Sequence, residues 1–395
     1  MPLRSTDIRE RNEKMILSLV QKHRQLSQSE VVALTGLRAP TVFRIFSALE
    51  SAGYIRPAAM DERRGPPSGV LPLTEEKKGR KPQYFEVVPE AFYTIGIDFW
   101  SQSATLAVGD FAGEIRYIDE ERFPPDLNAD GVMAKLQNLI DRSREAVGMK
   151  ESCLLGFGIG APGRIDIETG MVIDYKRIPG MQRFPIAQLV QERYGVPVYL
   201  HNNASLAALA ELKYGAARGA KSLFTFLVRS GVGGAYIEHQ QPLTFLGKSA
   251  LEVGHLCMTC DGPPCTCGRQ GCLESYMSED GLLGFAQQTI PMQSMEELET
   301  KLQTADRDEI LAALDIPLAM FERAIRNIHT LFVPESYLII CRFPALAALL
   351  EEECCRRLAD LVRWDGLPPE IHAVVYDSRR IGRGATDLVI ERFLH

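Results

Sequence analysis

No stretch of eighteen consecutive apolar residues occurs anywhere in this 395-residue sequence, so no helical membrane span is expected. The opening segment, MPLRSTDIRERNEK, lacks the apolar core of a signal peptide. No short-period repeat is present either, which argues against a solenoid or a propeller. These absences predict a cytoplasmic chain with no membrane partner, in a compartment where thiols stay reduced. The composition is that of an ordinary globular protein, 46% hydrophobic and 24% charged, and the length suits two or three domains.

Cysteine is present in a pattern that disulfides do not explain. Five of the nine lie between Cys257 and Cys272, in HLCMTCDGPPCTCGRQGCLES, while Cys153, Cys341, Cys354 and Cys355 are scattered. Thiols bunched in this way point to a metal. Zinc takes four thiolate or imidazole ligands in a tetrahedron. Cys265, Cys267 and Cys272 supply three, with Gly268 and Gly271 letting the backbone fold back on the ion. His255 is one source of the fourth, and the pair Cys257 and Cys260 is another. Spacing alone leaves that choice open.

Charge is unevenly spread. Residues 1–90 hold 15 Lys and Arg against 11 Asp and Glu, and the remainder holds 29 against 40. A basic head on an acidic body is the distribution expected when only the head meets a polyanion. The head reads as three short helices. Met15, Ile16, Leu19 and Val20 share one face of the first, and the second starts at Ser27 or Ser29 and stops at Gly36. Val42, Ile45, Phe46 and Leu49 face inward from the third. A Pro-, Gly- and charge-rich stretch between Pro57 and Pro82 then reads as a wing. This predicts a winged helix-turn-helix over residues 1–88, with operator DNA as partner. Arg38, Thr41 and Arg44 are the candidate base readers on the third helix, and Arg80 and Lys81 are candidate phosphate contacts in the wing, beside Arg63, Arg64, Lys77 and Lys78.

From residue 89 to residue 395 strands and helices alternate. Strand-like runs fall at 94–98, 104–109, 155–160, 196–200, 223–228, 234–237 and 337–341, and helical ones at 130–147, 185–194, 204–214, 278–288, 317–330 and 344–363. The polar stretch from Thr289 to Arg307 is helical in character. The pattern predicts an α/β body in two lobes.

Three segments carry a resemblance to a known family. EVGHLCMTCDGPPCTCGRQGCLE (252–274), GIGAPGRID (158–166) and VPVYLHNNASLAALAE (196–211) resemble, in order, motifs of the ROK family of repressors and sugar kinases. The family's repressor branch also carries a winged helix-turn-helix in front. The resemblance implies a two-lobed actin-like, ribonuclease-H-like body with sugar in the cleft. It also implies a structural zinc on His255, Cys265, Cys267 and Cys272. The sugar contacts it implies are Gly163, Arg164, Asn202, Asn203, Glu252, His255 and Glu274. The effector would be a sugar or sugar phosphate, and the assembly a homodimer or tetramer.

The resemblance fails where a kinase needs it most. Family kinases place an Asp base where this chain has Asn203, and an amide cannot accept a proton as a carboxylate does. The first phosphate loop reads DFWSQS, with Trp100 where a glycine would let backbone amides approach a phosphate. The second reads RSGVGG, with Arg229 at its first position, and the third reads ICRF at 340–343. A transcriptional regulator without kinase activity is expected, most simply a repressor of carbohydrate-uptake or catabolic genes.

Overall fold

The structure, a computed structural model, describes residues 5–58, 82–244, 248–249, 251–304 and 307–394. Arg80 and Lys81, with the other wing cations, lie outside the described residues.

The head comprises α1 (Ser5–His23), β1 (Leu26–Ser27), α2 (Gln28–Thr35), α3 (Ala39–Ser51), β2 (Ile55–Ala58) and β3 (Tyr84–Val87). Ser27 starts α2 through a reciprocal cap. Its hydroxyl accepts from the Glu30 amide at 3.3 Å, and its own amide donates to the Glu30 carboxylate at 2.8 Å. Gly36 ends the helix in the left-handed region, φ 67°, where a side chain would be strained. Helix α3 opens with Pro40 in its first turn and buries Val42, Ile45, Phe46 and Leu49. The three strands pair antiparallel in the order β1-β3-β2.

The first lobe runs through β4 (Tyr93–Phe99), β5 (Ser103–Asp110), β6 (Ile115–Arg122), α4 (Ala129–Ala146) and β7 (Leu154–Ala161). It continues with β8 (Arg164–Asp166), β9 (Met171–Asp174), β10 (Gln182–Phe184), α5 (Ile186–Tyr194), β11 (Val198–Asn202) and α6 (Asn203–Tyr214). The second lobe holds β12 (Ser222–Val228), β13 (Val232–Glu238), β14 (Gln241–Pro242), β15 (Lys248–Ser249), α7 (Glu274–Met277), α8 (Glu279–Ala286) and α9 (Met295–Leu302). Then come α10 (Arg307–Ala313), α11 (Asp315–Phe332), β16 (Ser336–Cys341), α12 (Pro344–Arg357), β17 (Glu370–Val375) and α13 (Ser378–Leu394). Each lobe is built on a five-stranded sheet, ordered β11-β7-β4-β5-β6 in the first and β14-β13-β12-β16-β17 in the second. A smaller sheet, β10-β9-β8-β15, joins a first-lobe hairpin to a second-lobe strand.

Helix α13 belongs to both lobes. It leaves the edge strand of the second sheet and packs on β4, β5 and β7 of the first. The fit needs a bare backbone, because a Cβ at Gly158 would strike the Ala385 carbonyl. The same helix ends inside the head, where Ile390 and Leu394 join Phe111 in the core of Ile16, Val20, Leu26, Phe46 and Phe85. The rings of Phe92 and Phe393 lie 5.5 Å apart at this joint, and Arg24 of the head donates to Glu114 of the body at 2.6 Å.

Three sequence-level expectations need correction. The helix expected over 344–363 stops at Arg357, and residues 361–363 lead instead into a loop that supports β17. Within the polar stretch 289–307, Pro291 keeps the start non-helical, α9 spans Met295–Leu302 from its cap at Ser294, and Arg307 opens α10. The alternation also omitted β6, β17 and α13. Helix α13 carries Gly382 and Gly384, which weaken a helical signal in sequence and here allow close packing, Gly382 on Ala107 of the sheet and Gly384 on Ala210 of α6.

Candidate ligand cleft and nucleic-acid interface

Between the lobes lies a cleft of about 380 Å3. All seven residues that the sequence suggested for a sugar line it: Gly163, Arg164, Asn202, Asn203, Glu252, His255 and Glu274. The local fold explains how they meet. Asn202 ends β11 and caps α6, with its side-chain oxygen accepting from the Ala204 amide at 2.9 Å. Its side-chain nitrogen donates to the Gly163 carbonyl, also at 2.9 Å, which fixes the turn before β8. Asn203 is the first residue of α6 and is buried. Behind them His201 is buried too, and burial, with Arg392 nearby, lowers its pKa to about 4, so it is neutral at pH 7.

Glu274 begins α7 and is held by three donors. It accepts from the Val232 amide at 3.2 Å, the Thr266 hydroxyl at 2.9 Å and the Arg177 guanidinium at 3.3 Å. Arg177 comes from the loop between β9 and β10, so the pair spans the cleft. Sequence reading missed Arg177 and Tyr175, which belong to no motif, and Thr266, which sits inside the cysteine motif but is not a ligand type; they became visible only where their loops meet.

One wall of the cleft is the cysteine knuckle. His255, Cys265, Cys267 and Cys272 bring their ligand atoms within 4.8 Å of one another. The chain reverses tightly, with the Cys265 amide donating to the Arg269 carbonyl at 2.8 Å, and Gly271 sits at φ 65° against Thr259, leaving no room for a Cβ. His255 Nδ1 lies 3.5 Å from Cys265 Sγ, while Nε2 faces Glu252 at 3.8 Å. One nitrogen therefore looks into the cluster and the other into the cleft. Burial pushes the Cys272 thiol up to about 12. At Cys267 burial is outweighed by hydrogen bonds from Arg269 and the neighbouring thiols, which bring it down to about 6. Three thiols and an imidazole at this separation are a donor set that fits a tetrahedral metal. Cys257 and Cys260 are exposed and stand outside the set; Cys257 donates to the Thr259 carbonyl instead.

Trp100 and Arg229 also line the cleft, and they belong to a cluster of packed protein side chains. Trp100, Arg229 and Arg342, one from each altered loop, converge there. The Arg229 guanidinium is 5.3 Å from the centre of the Trp100 ring and the Arg342 guanidinium 5.2 Å. Both terminal nitrogens of Arg229 share Asp98 Oδ2, at 3.2 and 3.3 Å, and Tyr376 donates its hydroxyl to the same oxygen at 2.8 Å. The Tyr376 ring lies 3.9 Å from the Arg229 guanidinium. Arg342 grips Glu279 with two bonds of 2.7 Å. Burial raises the pKa of Asp98 in spite of these partners.

In the head, Arg38 is the residue before α3 rather than part of it, and it is exposed. The outward stripe of α3 is Pro40, Phe43, Arg44 and Ser47, with Thr41 half-buried beside it. Phe43 is 60% exposed and escaped the sequence reading, which looked for charge and hydrogen-bonding groups.

Comparison with known proteins places this geometry. Residues 94–342 match the ROK family, and residues 9–56 match the winged helix-turn-helix DNA-binding family. The chain belongs to the ROK family. Its body has the two-lobed, actin-like ROK fold, and a winged helix-turn-helix precedes it. Among ROK relatives, the xylose repressor of Bacillus subtilis is 26% identical over 281 residues, 70% of this chain and 68% of its own length. The glucokinase of Halalkalibacterium halodurans is 29% identical over 225 residues, 56% of this chain and 66% of its own. The matches thus span about two thirds of the relatives' length. The crystal structure of a ROK family transcriptional regulator, a homologue of E. coli Mlc, aligns over 98% of both chains with a TM-score of 0.76 at 18% identity. Among the described residues no helix is long and apolar enough to cross a membrane.

Proposed function

We propose that this chain is a sugar-responsive transcriptional regulator, a repressor of carbohydrate-uptake or catabolic genes, that has no kinase activity. What carries the reading is the contrast inside one cleft: seven candidate sugar-binding groups line it, while Trp100 and Arg229 pack with Arg342 and Tyr376 in a cluster of protein side chains at its wall. Asn202, Asn203, Glu252, Glu274 and the Nε2 of His255 offer the mix of acceptors and amides that sugar hydroxyls require, with Gly163 and Arg164 closing the turn beside them. Zinc on His255, Cys265, Cys267 and Cys272 would hold the knuckle and fix the tautomer of His255, so that the outer nitrogen meets a hydroxyl. Its role is structural. Asn203 supplies no base, and the Trp100 and Arg229 side chains leave no cradle for ATP phosphates.

In the head, Arg38, Thr41 and Arg44 read bases and the wing cations, Arg80 and Lys81 among them, neutralise phosphates. The chain works in the cytoplasm as a homodimer or tetramer, matching a palindromic operator. Sugar shifts DNA affinity by its differential affinity for two lobe arrangements.

Fluorescence anisotropy on DNA from upstream of the gene, at fixed salt, tests this with free and phosphorylated sugars. Specific binding that one sugar weakens supports the reading. Phosphate transfer from ATP to a hexose by the purified protein would overturn the non-enzymatic part.

A further inference from the structure

We propose that the buried trio Asp98, Arg229 and Tyr376 is a lock between the lobes, and that through α13 it couples the state of the cleft to the DNA-reading head. The proposal deepens the regulator reading and rests on it for the role of the sugar. Each member comes from a different part of the fold. Asp98 lies near the end of β4 in the first lobe, Arg229 follows β12 in the second, and Tyr376 follows β17. Arg229 and Tyr376 both donate to a single carboxylate oxygen, Asp98 Oδ2. Arg229 also lines the cleft, whereas Tyr376 does not, so Arg229 faces the ligand side and Tyr376 the helix side.

What gives the lock its reach is the short distance along the chain from Tyr376 to α13, which begins at Ser378. The helix cannot shift independently of the first sheet, because the Ala385 carbonyl lies flush on Gly158 and the Gly382 carbonyl on Gly96. Its far end is part of the head's own core, through Ile390 and Leu394. A change in lobe angle that moves Arg229 relative to Asp98 therefore pulls on Tyr376, and the displacement is delivered by a rigid helix to the packing beneath α1. Coupling of this kind needs an element that both sites bias, and α13 touches both.

The conservative variant Tyr376→Phe removes the hydroxyl from Asp98 while keeping the ring on Arg229, and Tyr194→Phe, whose hydroxyl bonds Asp141 on the far side of the first lobe, is the control. Hydrogen exchange on the full-length protein is expected to quicken at least threefold at residues 390–394 and 16–20 in Tyr376→Phe and not in the control. Quickening confined to residues 94–99 and 226–232 would overturn the lock as a coupling device. In the anisotropy assay, the sugar that weakens DNA binding of the native protein should keep its affinity within about twofold, while its effect on DNA affinity falls at least threefold. A full sugar effect in Tyr376→Phe would overturn the coupling. A native protein whose DNA affinity no sugar changes would instead overturn the sugar reading, and the exchange result would still decide the lock.

Discussion

Two groups of side chains around the cleft have been treated differently by the same sequence. Those near the knuckle are polar and line the cavity, Asn202, Asn203 and Glu274 buried and Glu252 more open. Trp100, Arg229 and Arg342 are aromatic or cationic and converge on one another. A binding site leaves hydrogen-bonding capacity facing the cavity, whereas a packed cluster consumes its own. Asp98 shows the packed case at one oxygen only: it is 3% exposed, Arg229 and Tyr376 both donate to Oδ2, and Oδ1 is buried without a partner among the described residues. Glu252, beside the knuckle, keeps a side chain that is 37% exposed and faces His255 across 3.8 Å.

The comparison can be broken most sharply at the metal. Cys272→Ser should lower zinc affinity by more than about 100-fold, beyond the 10- to 100-fold typical of an outer-shell change, and metal analysis of protein prepared without chelators measures it. Zinc retained at one equivalent would detach the knuckle from Cys272. Next in size is Arg229→Met, which strands Asp98 in the interior and should cost about 3–5 kcal/mol in denaturant unfolding, while the double variant Asp98→Asn/Arg229→Met recovers most of that loss. If the double variant is no better than the single one, the cluster is not held by charge.

His201 sharpens the comparison through pH. Its folded pKa of about 4 lies below the unfolded value of 6.5, so the unfolded chain binds the extra proton first as pH falls. The stabilisation is complete above pH 6.5 and is lost progressively down to pH 4, a total of about 3 kcal/mol, and His201→Gln should flatten the thermal midpoint over that window. The smallest expected effect is Glu252→Ala, which removes one charged acceptor and should weaken sugar binding by about 10- to 100-fold in calorimetry without moving the unfolding midpoint appreciably.

How much of this was legible beforehand depended on whether chemistry was local in sequence. Three cysteines of the knuckle could be read because they recur within a few residues, whereas the choice of His255 came only with the family resemblance; the helix-turn-helix could be read because capping and periodicity act over single turns. The departures from the kinase motifs were equally local, at Trp100, Arg229 and the ICRF stretch. That the three replacements meet in one cluster was not legible, since nothing links positions 100, 229 and 342 except the closing of two lobes. Tyr376 and Arg177 were missed for the same reason. Phe43, left out of the inward set, was missed because the outer face of α3 was searched for charged and hydrogen-bonding groups.

Helix α13 also sets an order of events during synthesis. The hydrophobic centre of the head, begun by Ile16 and Leu26, is completed only by Ile390 and Leu394, which leave the ribosome hundreds of residues later. Contacts so distant in sequence form slowly and late. A nascent or prematurely ended chain would present an unfinished reading head, and competence to hold an operator would be withheld until the sensing body had been made.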